Sequence, residues 1–445
     1  MLLRGPFEAM ATLLAEPHRR RATRDAELLG RILLAAGRTR LALRYLRLCY
    51  RRWPNSPGIR SKLVSAFIAN GRHKDALVWL ETQADRIEQV EMDGLRLRIL
   101  METDAHEAAL GIMERQLATG QRPAGSEHQL RMLIALGRLE EAEKVEAAAR
   151  CSPSHSRSRA AHFGTSHAGA LLTELRMYRH ALPMVHTAED RLALIETNYH
   201  AACEELRHHA GSTGAAWTGP PVPRRIVQYW NDPEPPAEIT TVMRSWRNIS
   251  GWAHLLYDRK GARRWLSETL GLDHARAFAL ARHAAAEADF LRLCSLFHGG
   301  GIYADADDML VGRPEGVVGD RAGLVVFFEE YGAICNNLIC APPGHPVLGR
   351  AVGLVRDALF RRDNDNLWLK TGPGLLTRAV ASHLAQGGGG VILRPQASMR
   401  VVVRAHVPMP YKQWAGYWNS VRKKGDAERA VRAFARLSES EALTV

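Results

Sequence analysis

The pattern of apolar and polar positions divides the chain into two unlike parts. Over residues 25–210, apolar residues recur at helical spacing in segments rich in Ala, Leu, Arg and Glu, with few strand signals. Beyond Pro223, short apolar runs that end at turn residues alternate with helical segments, which is typical of an α/β domain. Between the two parts, residues 211–223 combine small residues with three prolines and therefore predict a linker.

A repeat with a period close to that of a helix pair organises the helical part. An alanine follows each of Gly37, Gly71 and Gly137 after five residues. The same spacing of five residues to an alanine recurs after Asp104. A glycine permits a tight turn between helices, and a small alanine lets the second helix pack closely against the first. The spacing resembles tetratricopeptide (TPR) repeats, whose period is about 34 residues. We therefore predict TPR-like repeats over residues 25–210, with an irregular helical bundle as the alternative. Such arrays commonly bind a protein partner on their concave face.

Composition is that of an ordinary folded protein. The 445 residues are 46% hydrophobic and 24% charged, which argues against disorder and favours two or three folded units. No window approaches the roughly 20 apolar residues of a membrane-spanning helix. Arg4, Glu8 and Glu16 interrupt the apolar N-terminus, which is therefore a poor secretory signal. Six cysteines are scattered without a CxxC pair, so we expect a reducing, cytoplasmic location without disulfides or zinc.

Positive charge is concentrated at the N-terminus. Thirteen arginines and four acidic residues give residues 1–60 a net charge of +9, most of the +13 of the whole chain. We assign residues 1–24 to a basic N-terminal segment, which could contact an anionic membrane surface peripherally at the inner face. The plainer interpretation is a solvated helix surface. Because no aromatic-interleaved basic motif or zinc finger is present, we expect no specific nucleic-acid partner.

Candidate chemistry is concentrated in the second part of the chain. The segment Pro223–Trp230 predicts a first strand that ends in an aromatic residue, and α/β folds bind ligands at such strand ends. Asp289 and Arg292 lie three residues apart on one face of a predicted helix. This spacing is also that of an ordinary surface ion pair.

A pair of acidic residues follows a triple glycine. Asp305 and Asp307 are two residues apart, so in an extended chain both carboxylates point the same way. Two hard oxygen donors beside a glycine turn suit a divalent cation that bridges a diphosphate. A D-x-D pair alone is a weak signal, and its meaning depends on the residues around it.

Taken together, these segments look like the DXD sugar transferases of glycosyltransferase family 32, a group that includes fungal Golgi mannosyltransferases. The resemblance covers roughly residues 221–420. The matching segments are P-x-x-I-x-Q-x-W from Pro223 to Trp230, D-x-x-R at Asp289 and Arg292, D-x-D at Asp305 and Asp307, N-N-x-x-x-x-x-P-x-H-P from Asn336 to Pro346, and T-G-P-G from Thr371 to Gly374.

The resemblance implies a fold and a set of functional residues. It implies a GT-A (Rossmann-like) domain over residues 224–445, with a nucleotide-sugar and Mn²⁺ or Mg²⁺ as cofactor. The implied substrate-binding residues are Gln228 and Trp230 beside the nucleotide, Asp289 and Arg292 on the sugar and diphosphate, Asn336 and Asn337 on the sugar and acceptor side, and Gly372. The implied metal ligands are Asp305, Asp307 and His406, and the implied catalytic residues are Asp289, Arg292, Asp305 and Asp307.

The sequence therefore predicts a helical-repeat region followed by an α/β glycosyltransferase domain. The expected activity is metal-dependent, retaining transfer of a hexose from a UDP- or GDP-sugar to an acceptor hydroxyl, in surface polysaccharide or glycoconjugate synthesis. One alternative is a protein-modifying enzyme, with a protein acceptor recruited by the repeats. Another is an inactive TPR adaptor that retains a vestigial sugar-binding domain.

Overall fold

The computed structural model describes residues 23–103, 105–118, 120, 126–151, 167–210, 216–319, 323–329, 331–362, 366–405, 407 and 409. The described part of the chain up to His209 forms eleven α-helices and one short 3₁₀ helix at Leu182–Met184. The helices are α1 (Thr23–Ala35), α2 (Thr39–Arg52), α3 (Pro57–Ala69), α4 (His73–Glu81), α5 (Gln89–Leu100), α6 (His106–Ala118), α7 (Ser126–Ala135), α8 (Leu139–Cys151), α9 (His167–Ala181), α10 (Ala188–Thr197) and α11 (Tyr199–His209).

The predicted turn glycines separate the helices of successive pairs. Gly37, Gly71 and Gly137 have φ values of 72°, 67° and 71°, in the left-handed region that glycine adopts without strain. Each therefore ends its helix and lets the chain reverse direction. The alanines five residues on in the repeat are completely buried: Ala42, Ala76, Ala109 and Ala142. Helix pairs thus recur as the sequence predicts, although Asp104 at the third turn lies outside the described residues.

The second part of the chain is an α/β domain. Its strands are β1 (Arg225–Tyr229), β2 (Ala253–Tyr257), β3 (Gly301–Ala304), β4 (Met309–Leu310), β5 (Leu324–Phe328), β6 (Leu338–Ala341), β7 (Val391–Pro395) and β8 (Val403–Arg404). Its helices are α12 (Ala237–Met243), α13 (Arg259–Leu270), α14 (Leu272–Leu280), α15 (Ala284–Gly299), α16 (Glu315–Val318), α17 (Pro346–Phe360), α18 (Leu367–Lys370), α19 (Pro373–Ala385) and α20 (Gln396–Met399). The prediction of helical repeats followed by an α/β domain is confirmed.

Sheet topology brings the candidate residues to one edge. Six strands pair in the order β2-β1-β3-β6-β5-β7, and β4 and β8 form a separate two-stranded sheet. Strands β1, β2 and β3 are parallel, whereas β6 runs antiparallel to β3. The residue after each parallel strand and the residue before β6 therefore meet at the same edge. Trp230, Asp258, Asp305 and Asn337 occupy these positions.

The hydrophobic cores do not divide where the sequence places the linker. One cluster contains only helical-region residues, from Ala26 to Ile99. A second cluster begins at Leu97 and continues through the α/β domain to Leu384. Helix α19 packs against both α10 and α11. The boundaries at residues 211–223 stay a prediction, but helices α6 to α11 share their core with the α/β domain.

Polar and aromatic contacts reinforce this shared core. Glu196 of α10 binds Arg350 at 2.5 Å and accepts a hydrogen bond from the Ser382 hydroxyl at 3.0 Å. Tyr331 stacks on His106 at 5.4 Å between ring centroids, and the guanidinium of Arg131 lies 4.0 Å from the Tyr331 ring. Because Tyr331 lies in the segment that leads to Asn336, helices α6 and α7 help to position the edge of the sheet.

The helical region also contacts the α/β domain through its turn glycines. A Cβ atom added to Gly37 would meet the sulfur of Met309, and one added to Gly71 would overlap the carbonyl oxygen of Ala397. This face of the repeats therefore packs against the chain's own second domain. Within the described ranges, no helix is both long and apolar enough to cross a bilayer. The basic segment at residues 1–24 lies almost entirely outside those ranges, and its membrane contact stays a prediction.

Replacing Gly71 with alanine should weaken the packing of the repeats on the α/β domain. Alanine costs about 1–2 kcal/mol at a positive φ, and its methyl group would also push against the backbone at Ala397. Gly120 is a matched control, because its φ is 73° and a Cβ there would meet nothing within 4 Å. In urea unfolding, Gly71→Ala should lose more free energy of unfolding than Gly120→Ala. Equal losses would show that the contact with Ala397 contributes nothing.

Candidate functional site

The D-x-x-R pair lies in the buried middle of α15. Asp289 and Arg292 approach to 3.3 Å, with side chains only 8% and 4% exposed. Two charges removed from water in this way must be compensated by further partners. The pair is therefore part of a buried network and not a surface ion pair.

Arg292 is the centre of that network. Its guanidinium donates to Asp305 Oδ1 at 3.0 Å and to the backbone carbonyl of Asn336, and it lies 4.5 Å from the ring centre of Tyr303. Burial alone would lower the pKa of Arg292, but the charges of Asp305 and Asp289 outweigh it, so the pKa lies above its usual value. The guanidinium thus links the helix, the end of β3 and the start of β6.

Both carboxylate oxygens of Asp289 accept hydrogen bonds. Oδ1 accepts from the Asn336 side-chain amide at 2.8 Å, and Oδ2 accepts from the Thr371 hydroxyl at 2.8 Å. Burial raises the pKa of Asp289, while Arg292 and these donors oppose the rise. Gly372 begins helix α19, and a Cβ there would lie 3.5 Å from Asp289 Oδ2. That distance is an ordinary van der Waals contact, whereas the backbone oxygen of Trp368 would lie closer to such a Cβ, at 3.1 Å.

The D-x-D residues follow β3 directly. The Asp305 amide donates to the Asn337 carbonyl at 2.9 Å, and the Tyr303 hydroxyl donates to Asp305 Oδ1 at 3.1 Å. The Asp305 side chain remains 30% exposed, and Asp307 is half-buried. Burial raises the pKa of Asp305 to about 6, the charge of Asp307 adds to the rise, and Arg292 opposes it. The two carboxylates are therefore close enough to repel each other.

This pair fits a divalent cation. A cation between Asp305 and Asp307 would relieve their repulsion, and carboxylate oxygens are the donors that Mg²⁺ and Mn²⁺ prefer. Among the residues that the structure describes, no group of three His, Cys, Asp or Glu side chains could hold a metal. Further ligands would come from a substrate, from water or from residues outside the described ranges. His406, the predicted third ligand, lies outside the described residues.

Asn337 and Asp308 form a brace behind the pair. The Asn337 side-chain amide donates to Asp308 Oδ2 at 2.5 Å, and Asp308 is completely buried. The indole of Trp246 donates to the Asp308 backbone carbonyl at 2.8 Å. Asn336 and Asn337 are thus brought to the predicted place, with their amides directed to protein carboxylates. Their contact with a substrate stays a prediction.

Gln228 and Trp230 have different surroundings. Gln228 is completely buried, and its amide donates to the Asp305 carbonyl at 3.3 Å while its oxygen accepts from His254 Nε2 at 2.9 Å. Gln228 therefore supports the D-x-D loop from inside, and substrate contact by it stays a prediction. Trp230 lines an open cleft of about 230 Å³ at the ends of β1 and β2. The other lining residues are Asp232, Pro233, Leu256, Asp258 and Gly261.

His254 makes the support of this loop sensitive to acid. Burial lowers the pKa of His254 to about 4, below its ordinary value of 6.5. As the pH falls, the imidazole is protonated in the unfolded chain before it is protonated in the folded chain. The free energy of unfolding is therefore unaffected by this group above pH 6.5 and decreases as the pH falls towards 4. At pH 5 the loss amounts to about 2 kcal/mol. Urea unfolding would be measured at pH 7.5 and at pH 5. Between these two values, the free energy of unfolding should fall less for His254→Gln than for the unchanged chain. Equal decreases would contradict the lowered pKa of His254.

Four residues of the site were given no role from sequence. Tyr303, Thr371 and Asp308 hold the acidic residues and Asn337, as described above. Glu287 accepts from the Tyr229 hydroxyl at 2.6 Å and from Arg259 Nε at 2.7 Å, which ties α15 to β1 and α13. Only Tyr303 had a local signal, because it lies two residues before Asp305 on the same face of an extended chain.

Comparisons with known proteins agree with this site. Residues 225–322 match the model of a family described as "Glycosyltransferase sugar-binding region containing DXD motif". The matched segment includes Asp289, Arg292, Asp305 and Asp307. Residues 225–322 are therefore similar to the DXD-containing, sugar-binding region of glycosyltransferases, in agreement with the resemblance found in the sequence.

Individual relatives are distant. A segment is 24% identical over 194 residues to the initiation-specific alpha-1,6-mannosyltransferase of Schizosaccharomyces pombe; it covers 37% of this chain and 49% of that protein. The chain thus spans about half the length of this curated relative. Among solved structures, the PaToxG glycosyltransferase is 15% identical and covers 56% of this chain and 96% of its own, with a TM-score of 0.31.

Proposed function

We propose that the protein transfers a hexose from a nucleoside diphosphate sugar to an acceptor hydroxyl, with retention of configuration. The observation that carries the proposal is the buried network in which Arg292 fixes Asp289, Asp305 and Asn336 at one edge of the sheet. Such an edge is where α/β folds bind nucleotides. Burying charges costs free energy that their mutual attraction barely offsets, so a functional role accounts for this network better than stability does.

Asp305 and Asp307 are the proposed metal ligands. A bound Mn²⁺ or Mg²⁺ would supply positive charge to stabilise the departing diphosphate. Arg292 keeps Asp305 in place through its 3.0 Å contact, so it acts as a positioning residue. Asp289 and Asn336, oriented by Thr371 and by each other, are the proposed contacts for the sugar.

The cleft at Trp230 is the proposed nucleotide site. Trp230 is half-buried and lines the cleft, where its indole could stack on a base, and Asp232 and Asp258 line the same cleft with hydrogen-bond acceptors. Strand β1 connects the cleft to the D-x-D loop, because Gln228 lies in this strand two residues before Trp230 and donates to the Asp305 carbonyl. Base and diphosphate would therefore lie along the ends of β1 and β3.

Retention follows from the family resemblance and suits a displacement on one face of the sugar. The bond from the anomeric carbon to the diphosphate oxygen breaks, and a bond to the acceptor oxygen forms. The acceptor's proton passes to the departing phosphate oxygen. Transfer from the same face therefore requires no protein base, unlike glycosidases with their paired carboxylates.

The described contacts favour a glycan acceptor over a protein recruited by the repeats. At Gly37 and Gly71, the face of the repeats is already packed on the chain's own α/β domain. The intact charged network also argues against a vestigial adaptor. Surface polysaccharide or glycoconjugate synthesis is the proposed context.

A donor screen tests the proposal. Purified protein would be incubated with Mn²⁺ and a panel of UDP- and GDP-sugars, and released nucleoside diphosphate would be measured with and without EDTA. We expect release from one donor that EDTA removes and added Mn²⁺ restores. Tight donor binding without turnover, in the presence of acceptor glycans, would instead support the adaptor.

A further inference from the structure

A second cavity lies between the helical region and the α/β domain, apart from the Trp230 cleft. Its volume is about 360 Å³, and residues from α1, α3, α5 and α7 form one wall, so the first helix of each of four successive pairs contributes. The α/β domain supplies Arg400 and Arg404. The remaining lining residues that the structure describes are Leu34, Ser65, Ile68, Ala69, Arg98, Met101, Glu102 and His128.

Positive charge predominates in this interdomain cavity. Arg98, Arg400 and Arg404 face one carboxylate, Glu102, so the lining carries an excess of two positive charges when His128 is neutral. Arg400 forms an ion pair with Glu102. Arg98 donates to neutral groups, the hydroxyls of Ser61 at 2.9 Å and Ser65 at 2.6 Å. The charges of Arg98 and Arg404 therefore have no carboxylate of their own among the lining residues.

Arg404 has a buried side-chain donor without a hydrogen-bond partner in the described part of the chain. That donor is its Nε. A buried donor left in this state is costly, and such groups usually bind water, an ion or a ligand. Burial, followed by the charge of Arg400, lowers the pKa of Arg404, whereas Glu102 and Asp308 oppose this change. An anion in the cavity would compensate the positive charge of Arg404.

The cavity is built from secondary structure and is not a surface cluster. Arg404 lies in β8, where its Cα pairs with that of Met309 in β4. Met309 follows Asp308 directly, and Asp308 holds Asn337 beside the D-x-D loop. One wall of the cavity is therefore continuous with the brace of the candidate catalytic site.

We propose that this interdomain cavity binds a phosphate ester, with the phosphate on Arg404, Arg400 and Arg98 and the organic group against the apolar wall. A phosphate monoester carries about two negative charges at pH 7, which matches the excess in the lining. Arginine is the preferred residue for phosphate because its planar fork presents paired donors. Leu34, Ile68, Ala69 and Met101 supply the apolar wall. The volume lies within the range of small-ligand sites, about 300–1,000 Å³.

Calorimetry with defined phosphates tests this proposal independently of the proposed transferase activity. Inorganic phosphate, butyl phosphate and a hexose phosphate would be titrated into the full chain in EDTA, without nucleotide-sugar. We expect one or both esters to bind more tightly than inorganic phosphate. Arg404→Gln should weaken binding about tenfold or more, since it removes a charge-assisted contact. Asp307→Ala and the exposed Arg276→Gln should leave it unchanged.

A substitution with the opposite effect separates binding from folding. Glu102→Gln removes the one carboxylate of the lining and releases Arg400, so it should tighten phosphate binding several-fold. A misfolded protein could not produce that gain. The proposal is overturned if the unchanged chain binds none of the three phosphates at millimolar concentration, or if Arg404→Gln and Glu102→Gln both leave the affinity unaltered. Equal affinities for inorganic phosphate and both esters would refute the role of the apolar wall.

Discussion

Replacing Asp307 with alanine should reduce donor cleavage about a thousandfold or more while leaving the fold intact. The proposed cation contributes several kcal/mol to stabilising the departing diphosphate, and its binding requires the second carboxylate. The Asp307 side chain is half-buried, whereas those of Asp289 and Arg292 are almost fully buried, so its removal should disturb the interior less. Released nucleoside diphosphate, measured across Mn²⁺ concentrations, gives the loss of activity, and thermal unfolding should change by only a few degrees.

Asp308 is the matched control for this prediction. It is the adjacent carboxylate, but it is completely buried and accepts from the Asn337 amide at 2.5 Å. Asp308→Ala would leave that amide unsatisfied, at a cost of about 1–3 kcal/mol in the free energy of unfolding. Asp307→Ala should therefore lose donor cleavage while it keeps its stability, whereas the main effect of Asp308→Ala should be a lower free energy of unfolding. An Asp307→Ala chain that cleaves the donor at the original rate would exclude the metal assignment.

Local patterns predicted those features that depend on neighbours in sequence. The turn glycines and alanines of the repeats act within one helix pair, so their spacing alone indicated the positive φ at Gly71 and the burial of Ala76. The approach of Asp289 to Arg292 likewise follows from a helical separation of three. Asp305 follows a β-strand because glycine, aromatic and branched residues precede it.

Other features of the site depend on contacts across the fold. Thr371 reaches Asp289 from 82 residues away, and Gln228 reaches the Asp305 carbonyl from 77 residues away. No spacing rule relates such positions in one sequence, so neither the contact of Thr371 with Asp289 nor the burial of Gln228 was predicted. Asp308 is completely buried next to the pairing of β4 with β8, and no local pattern in the sequence indicates this burial.

The shared core leads to the second large prediction, which concerns truncation. A chain of residues 211–445 should fail to fold cooperatively. Without α10 and α11, helix α19 would lose the two helices that pack against it, and apolar side chains of the shared core would become exposed. Each large side chain exposed in this way costs about 1.5–3 kcal/mol, against a total stability of about 5–15 kcal/mol. Far-UV circular dichroism during heating should show no sharp transition.

A chain of residues 105–445 is the matched control. It loses the cluster from Ala26 to Ile99 but keeps α6 to α11 over the α/β domain, so the second core remains almost complete. We expect it to unfold cooperatively and to retain donor cleavage, although it would lose the phosphate-ester cavity, whose Ser65 and Arg98 are removed. If residues 211–445 alone unfold cooperatively and cleave the donor at the full rate, α10 and α11 are dispensable. The functional boundary would then lie at the linker, as the composition of residues 211–223 suggests.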